Sequence, residues 1–185
     1  MRFSFDVKLT DKDYLLFNEF HSKNSEMSKK TIRLARILYI ITFALCGIML
    51  LINEGVNPGT VVGAILFLLA GLMLCLCAKK MNVSSNKTVA RMLIKGKSKK
   101  PYTPESTLEF YDDFFKEIAP DNRTESNYTA IDRICVVMNS YVFIFIDSMR
   151  GYMVPFNCFK DADEEKAFLA FLGTLTPNIE FFDKI

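Results

Sequence analysis

The sequence predicts an α+β membrane protein, in which a two-helix transmembrane hairpin accompanies a cytoplasmic antiparallel β-sheet closed by a C-terminal α-helix. Three observations predict this class: two long apolar runs, basic residues on both sides of them, and short strand-like segments in the second half. Half of the 185 residues are hydrophobic and 24% are charged, so the two kinds of residue are segregated along the chain.

The two apolar runs predict transmembrane helices at about 34–52 and 60–78. The second run holds eighteen uncharged residues between Val61 and Ala78, and about 20 helical residues cross a hydrocarbon core. Two buried helices of a soluble bundle are the alternative. Roughly a hundred remaining residues are too few to cover two helices that are apolar on every face. The connector Asn53–Gly59 predicts a tight turn between the helices.

Charge predicts the orientation of this hairpin. Twelve basic residues and one acidic residue lie between positions 27 and 104, and none of the basic residues lies in the connector. The positive-inside rule therefore places both termini in the cytoplasm of a multi-pass cell-membrane protein. The first run begins too far from the N-terminus for a cleavable signal peptide.

The same basic residues are candidate contacts for anionic lipid, because each gains about 1 kcal/mol near an anionic leaflet. Generic anchoring by these charges is the alternative to specific lipid recognition. The candidate contacts are Lys29, Lys30, Arg33, Arg36, Lys79, Lys80, Lys87, Arg91, Lys95, Lys97, Lys99 and Lys100.

Small residues within the spans predict close helix packing. They are Ala44, Gly47, Gly63, Ala64, Ala70 and Gly71. Packing within one chain is favoured, and homo-oligomerisation is the alternative. Arg36, at the edge of the first span, is the one ionisable residue there, so the sequence argues against an ion or proton path.

The N-terminal region 1–31 predicts a strand followed by a juxtamembrane helix. Phe3, Phe5 and Val7 alternate with polar residues, and Thr10 with Asp13 resembles a helix start. The hairpin occupies 32–80, and a basic linker with a short amphipathic helix over 87–94 occupies 81–104.

The region 105–185 predicts one antiparallel sheet and a helix. Strands are expected at 106–112, 114–120, 133–138, 141–147 and 151–156, with turns at 112–113, 139–140 and 148–151. Strand 141–147 is apolar on both faces, so we expect another element to cover it. A helix capped by Asp161 and Glu164, ending near Gly173, supplies that cover.

This arrangement resembles the YcxB-like proteins of Gram-positive bacteria. The resemblance is carried by the hairpin and by the segments "LEFYDDFF", "SNYTAIDRICVVMNSYVFIFID" and "GYMVPFNCFKDADEEKAFLAFL". It implies a terminal domain similar to bacterial pleckstrin-homology-like folds. It also suggests that the N-terminal strand joins the terminal sheet.

Catalytic, cofactor and metal motifs are absent from the sequence. His21 has no nucleophile and orienting acid at a suitable spacing, and the acidic pairs at 112–113 and 161–165 are explained by a turn and a helix start. The five scattered cysteines are expected to be reduced. The lysines are not interleaved with aromatic residues, which argues against nucleic-acid binding.

Three functions remain open on the sequence. The first is a non-catalytic, membrane-anchored module that binds a protein partner at the inner leaflet. The second is a domain that senses anionic lipid through the basic residues. The third is an enzyme that acts on a membrane substrate through an unrecognised site.

Overall fold

The computed structural model of the protein describes residues 1–96, 100–146, 150–175 and 179–184. The chain divides into two compact units, residues 1–20 with 89–185, here named the head, and residues 21–88, the hairpin unit. The architecture is α+β, with two long apolar helices and two four-stranded sheets. In chain order the elements are β1 (Phe3–Lys8), α1 (Asp11–Asn24), α2 (Glu26–Glu54), α3 (Pro58–Lys95), β2 (Glu105–Phe110), β3 (Phe114–Ile118), β4 (Arg123–Asn127), β5 (Arg133–Val137), β6 (Tyr141–Phe145), β7 (Gly151–Pro155), α4 (Ala162–Leu175) and β8 (Ile179–Phe182).

Sheet A is antiparallel and has the strand order β1-β2-β3-β4. β1 pairs with β2 in a register that places Phe5 opposite Leu108, so the expected pairing of the N-terminal strand with a later strand is confirmed. The sequence missed β4 because "RTESN" has no apolar alternation. Pairing with β3, with Glu117 opposite Thr124, holds β4 in the sheet.

Sheet B has the strand order β7-β6-β5-β8 and corrects the expected topology. β5, β6 and β7 are the predicted apolar strands, and they pair in antiparallel fashion. β8 was not predicted, and it runs parallel to β5 with Ile179 opposite Ile134. Parallel pairing is possible because the connection to β8 includes a helix, α4, which returns the chain in the direction of β5. The expected single antiparallel sheet is therefore wrong; two sheets form, and one contains a parallel pair.

The main core of the head lies among sheet A, one face of sheet B and α4. Phe5, Phe110, Ile144, Phe168 and Leu172 are at most 1% exposed within it. Helix α4 begins as predicted, and it ends at Leu175, two residues later than expected. Asp161 caps its start by accepting the Glu164 amide at 2.8 Å, and Glu164 reaches back to accept the Lys160 amide at 2.8 Å, one residue before the cap.

The other face of sheet B is covered by α1, which the sequence did not predict as its partner. Phe20 is fully buried, and its ring lies 5.2 Å from that of Phe143. Phe17 stacks on Phe145 at 5.4 Å. The start of α1 is confirmed, since Thr10 and Asp13 bond reciprocally through side chain and backbone. The predicted two-sided burial of β6 thus requires two helices, one on each face.

Helices α2 and α3 are 29 and 38 residues long and form the hairpin. Between them Gly55 adopts a φ of +73°, a left-handed conformation that suits glycine. The Asn57 side chain accepts the Thr60 amide at 3.0 Å near the start of α3. A separate helix over 87–94 is wrong, because α3 continues unbroken to Lys95. Residues 79–95 contain neither proline nor glycine to end it.

Candidate functional site

The hairpin unit leaves its apolar surface largely uncovered by the chain. In the most apolar windows of α2 and α3, 6% and 11% of the residues are buried. Leu45, Leu68 and Leu72 each remain more than half exposed. By length and composition both helices are able to cross a membrane. A helix in the core of a soluble protein would instead be mostly buried.

Three glycines lie where the two hairpin helices touch. A Cβ atom on Gly71 would lie 2.8 Å from the Phe43 Cβ, and one on Gly63 would lie 2.7 Å from a Leu50 methyl carbon. Gly47 faces the Ala64 backbone. A side chain at Gly71 would collide with the base of the Phe43 side chain, whereas one at Gly63 would require the Leu50 side chain to move. The predicted packing of small residues within the chain is therefore confirmed at these positions.

Polar contacts tie the two helices together where the apolar surface ends. The Ser28 hydroxyl is buried and lies 3.0 Å from the Asn82 side-chain oxygen, and Asn86 donates to that same oxygen at 3.2 Å. Arg36 donates from Nε to the Cys75 carbonyl at 3.2 Å. The bonds of Ser28 and Arg36 join α2 to α3, and the bond of Asn86 lies within α3. The first two satisfy polar groups of one helix with groups of the other.

The structure places the candidate lipid contacts on different parts of the chain. Lys29 forms an ion pair with Glu26 at 2.7 Å, and Lys100 forms one with Asp11 at 3.0 Å. Lys97 and Lys99 lie outside the described residues. The hairpin unit carries Lys29, Lys30, Arg33, Arg36, Lys79, Lys80 and Lys87, and the head carries Arg91, Lys95 and Lys100. Most of these side chains are exposed, and Lys87 is half-buried.

The head contains a pocket of about 440 Å³ that the sequence did not predict. Its walls come from α1, sheet A, the segment Pro101–Thr103 and the β6–β7 region. This volume is in the range of small-molecule sites, about 300–1,000 Å³. The apolar part of its lining is formed mainly by Val7, Leu9, Leu108, Ile146 and Met153.

The polar side of the pocket centres on Glu117. Strand alternation places Glu117 on the same face of β3 as the fully buried Phe115, so its carboxylate points inward. Hydroxyls surround it: Thr124 lies directly opposite on β4, and Ser106 is hydrogen-bonded to it. Burial raises the pKa of Glu117 above its ordinary value, although the bond from Ser106 acts in the opposite direction.

Aromatic rings complete the pocket lining. Tyr152 packs edge-on against Phe115 at 5.0 Å, and its hydroxyl is hydrogen-bonded to Ser126. Burial raises the pKa of Tyr152, and the nearby Glu117 acts in the same direction. Tyr14 and Tyr102 stack with their ring centres 5.1 Å apart. The pocket thus combines one inward carboxylate, hydroxyl groups, tyrosine rings, the exposed Arg150 and apolar side chains.

A sequence signal for Glu117 did exist. In "FFKEI", Phe115 and Glu117 are two residues apart, so a strand that buries Phe115 also turns Glu117 inward. Its neighbours Thr124 and Ser126 could not be predicted as pocket residues, because β4 was not recognised as a strand. Tyr14 and Tyr102 reach the pocket from segments remote from β3 in the sequence, which no local pattern indicates.

The other chemistry-bearing residues have structural surroundings. His21 is half-buried near the end of α1, and Asp112 forms an ion pair with Arg2. The five cysteines are free, as expected. Burial raises the pKa of Cys135 to about 12, which keeps its thiol protonated. Among the described residues, no cluster of three or more His, Cys, Asp or Glu side chains could hold a metal ion.

The family model described as YcxB-like protein matches residues 110–172. The resemblance seen in the sequence is confirmed. No curated protein and no solved structure gives a significant match. The YcxB-like region runs from the end of β2 to near the end of α4. It contains Glu117, Thr124, Ser126 and Tyr152 of the pocket, whereas Tyr14 and Tyr102 lie outside it.

Proposed function

We propose that the protein is a non-catalytic binding module anchored in a bacterial cell membrane by the hairpin α2–α3. The observation that carries the proposal is the apolar surface of the hairpin, of which the chain covers only a small part. In water that surface would be exposed at a large free-energy cost, whereas lipid removes the cost. Helix α3 is about 57 Å long at about 1.5 Å per residue. It is therefore long enough to cross the bilayer and to extend about 25 Å beyond Ala78 as a basic helix.

The basic residues support an orientation with both chain ends in the cytoplasm. They lie on α2 before the apolar run and on α3 after it, and the loop between the helices carries none. By the positive-inside rule the loop faces outward and the head lies on the cytoplasmic side.

A pleckstrin-homology-like fold of the head is part of the proposal. Its support is that α4 packs with Phe168 and Leu172 in the core shared by the two sheets. β8 adds a strand beyond that helix.

A protein partner at the inner leaflet is the proposed role of the head. β8 is an edge strand of sheet B, and its Phe181 is 67% exposed. An edge with an exposed aromatic side chain can accept a strand from another protein. A photo-crosslinking residue at position 181 should capture one defined protein in cells, whereas the same residue at Arg123, on the polar edge strand β4, should not.

Membrane anchoring has a direct test in cell fractions. The protein should stay in the pellet after extraction at alkaline pH and should dissolve only in detergent. An external protease should leave tags at both ends intact in whole cells. Release of the protein at alkaline pH, or removal of either tag, would contradict the proposal.

The second candidate function is recognition of anionic lipid by the basic residues. The exposed pairs Lys29–Lys30 and Lys79–Lys80 lie on the two hairpin helices where their apolar runs end, and they favour it. Binding to nanodiscs that contain different anionic lipids at equal charge distinguishes specific recognition from generic anchoring. A preference for one headgroup that is lost when Lys79 and Lys80 become Gln would support recognition.

A further inference from the structure

We propose that the pocket of the head binds an amphipathic amine, with the ammonium group at Glu117 and the apolar body against the apolar side chains of the lining. This proposal goes beyond the anchoring function and does not depend on it. It begins from the position of Glu117, an acidic side chain on the inward face of a sheet whose other inward positions on β1 to β3 are mostly Phe, Val and Leu.

Glu117 lacks an ion-pair partner within the described part of the chain, where its polar contact is the Ser106 side chain. A half-buried carboxylate loses part of its hydration, and without a neighbouring cation no charge attraction compensates for that loss. A ligand ammonium group would supply the missing charge. Its three N–H groups also match the acceptors at hand, namely the carboxylate and the hydroxyls of Ser106 and Thr124.

Tyrosine rings in the pocket lining favour a cation over a neutral ligand. Tyr152 lines the same cavity as Glu117. The electron-rich face of a tyrosine ring attracts a cation within about 6 Å. Arg150 also lines the cavity, but it is exposed, whereas Glu117 is half-buried.

The apolar part of the lining sets the second requirement on the ligand. Leu108, Ile146 and Met153 line the same cavity as Glu117, and a small inorganic cation would leave them uncovered. About 440 Å³ accommodates an amine with a ring or a short chain. Two sources carry this chemistry, a soluble amine and the headgroup of an aminolipid.

The test measures binding of phenethylamine and of its neutral counterpart 2-phenylethanol to the detergent-solubilised full chain by calorimetry. The amine should bind at least tenfold more tightly than the alcohol. Glu117→Gln should weaken amine binding at least tenfold, equivalent to about 1.4 kcal/mol. It should change alcohol binding less than about twofold. Glu117→Asp keeps the charge and should keep the preference for the amine.

Glu125→Gln is the matched control, because Glu125 lies on the outward face of β4 in an ion pair with Lys116 at 3.3 Å. It should leave amine binding unchanged. Equal binding of amine and alcohol, or amine binding that tolerates Glu117→Gln, would overturn the proposal. Once Glu117-dependent binding is seen, competition by phosphatidylethanolamine nanodiscs assigns the lipid headgroup as the source, and lack of competition assigns a soluble amine.

Discussion

The head and the hairpin unit use apolar residues in opposite ways. Among the described residues of the head, seven phenylalanine side chains are at most 1% exposed, and their rings contact one another across strands and helices. In the hairpin unit, long leucine and isoleucine side chains point away from the chain, and contact between the helices depends on glycines. The head therefore closes its own core, whereas the hairpin leaves most of its apolar surface uncovered by the chain. Four substitutions test this contrast, from the largest expected effect to the smallest.

Phe168→Ala should have the largest effect on stability. Phe168 is fully buried and contacts the rings of Phe3, Phe5, Phe110 and Phe159. Loss of its ring leaves a cavity, so we expect the free energy of unfolding of the head to fall by about 3–5 kcal/mol. Chemical denaturation in detergent measures this. Leu68→Ala, at a hairpin position that is 53% exposed, should change that value by less than about 0.5 kcal/mol.

Gly71→Leu should separate the hairpin helices. The new side chain would collide with Phe43, and overpacking of this kind costs about 1–3 kcal/mol. Energy transfer between dyes on α2 and α3 should decrease. Ala70→Leu, one residue earlier on an exposed face, is the control and should leave the transfer unchanged. A similar decrease in both variants would show that α3 does not contact α2 through Gly71.

Asp161→Ala should destabilise the head by about 1 kcal/mol. It removes the side chain that accepts the amides of Asp163 and Glu164 at the start of α4. Thermal unfolding measures the loss. Asp163→Ala, in the first turn but outside the cap, should cost less than half as much. Equal losses would mean that general charge at the helix start, and not the cap, stabilises α4.

Glu117→Gln should produce the smallest change, one that depends on pH. Because burial raises the pKa of Glu117 above 4.5, the folded head binds this proton more tightly than the unfolded chain. Its contribution is full below the unfolded pKa and is lost as pH rises through the folded pKa. The difference in melting temperature, variant minus wild type, should therefore increase as the pH rises above the ordinary pKa of glutamate, about 4.3. A difference that stays constant with pH would contradict the burial of this carboxylate.

Sequence patterns predicted the elements whose residues carry their own signal. The alternation of Phe3, Phe5 and Val7 predicted β1, and Thr10 with Asp13 predicted the start of α1. β4 carried no such signal, since its strand form depends on pairing with β3. The continuity of α3 was missed because its apolar part and its basic part suggest two helices when each is considered alone.

The pocket illustrates the same limit at the level of the site. Local alternation could have placed Glu117 on the inward face of β3. Its surroundings come from segments as distant as Tyr14 and Tyr152, which meet only when sheet A, β7 and α1 pack together. The two helices of the hairpin, by contrast, could be predicted from composition alone. Most of their surface lies outside contacts with the rest of the chain, so their prediction did not depend on distant residues.

Thiol labelling of intact cells tests the central claim of a membrane-spanning hairpin most directly. A cysteine is introduced at Val56, in the 81% exposed loop between α2 and α3, or at Phe181 in the head. The native cysteines that are not buried are changed to Ser, namely Cys46, Cys75, Cys77 and Cys158. A reagent that cannot cross membranes should label position 56 in intact cells and position 181 only after permeabilisation. Labelling of position 181 in intact cells, or of neither position before permeabilisation, would contradict the account.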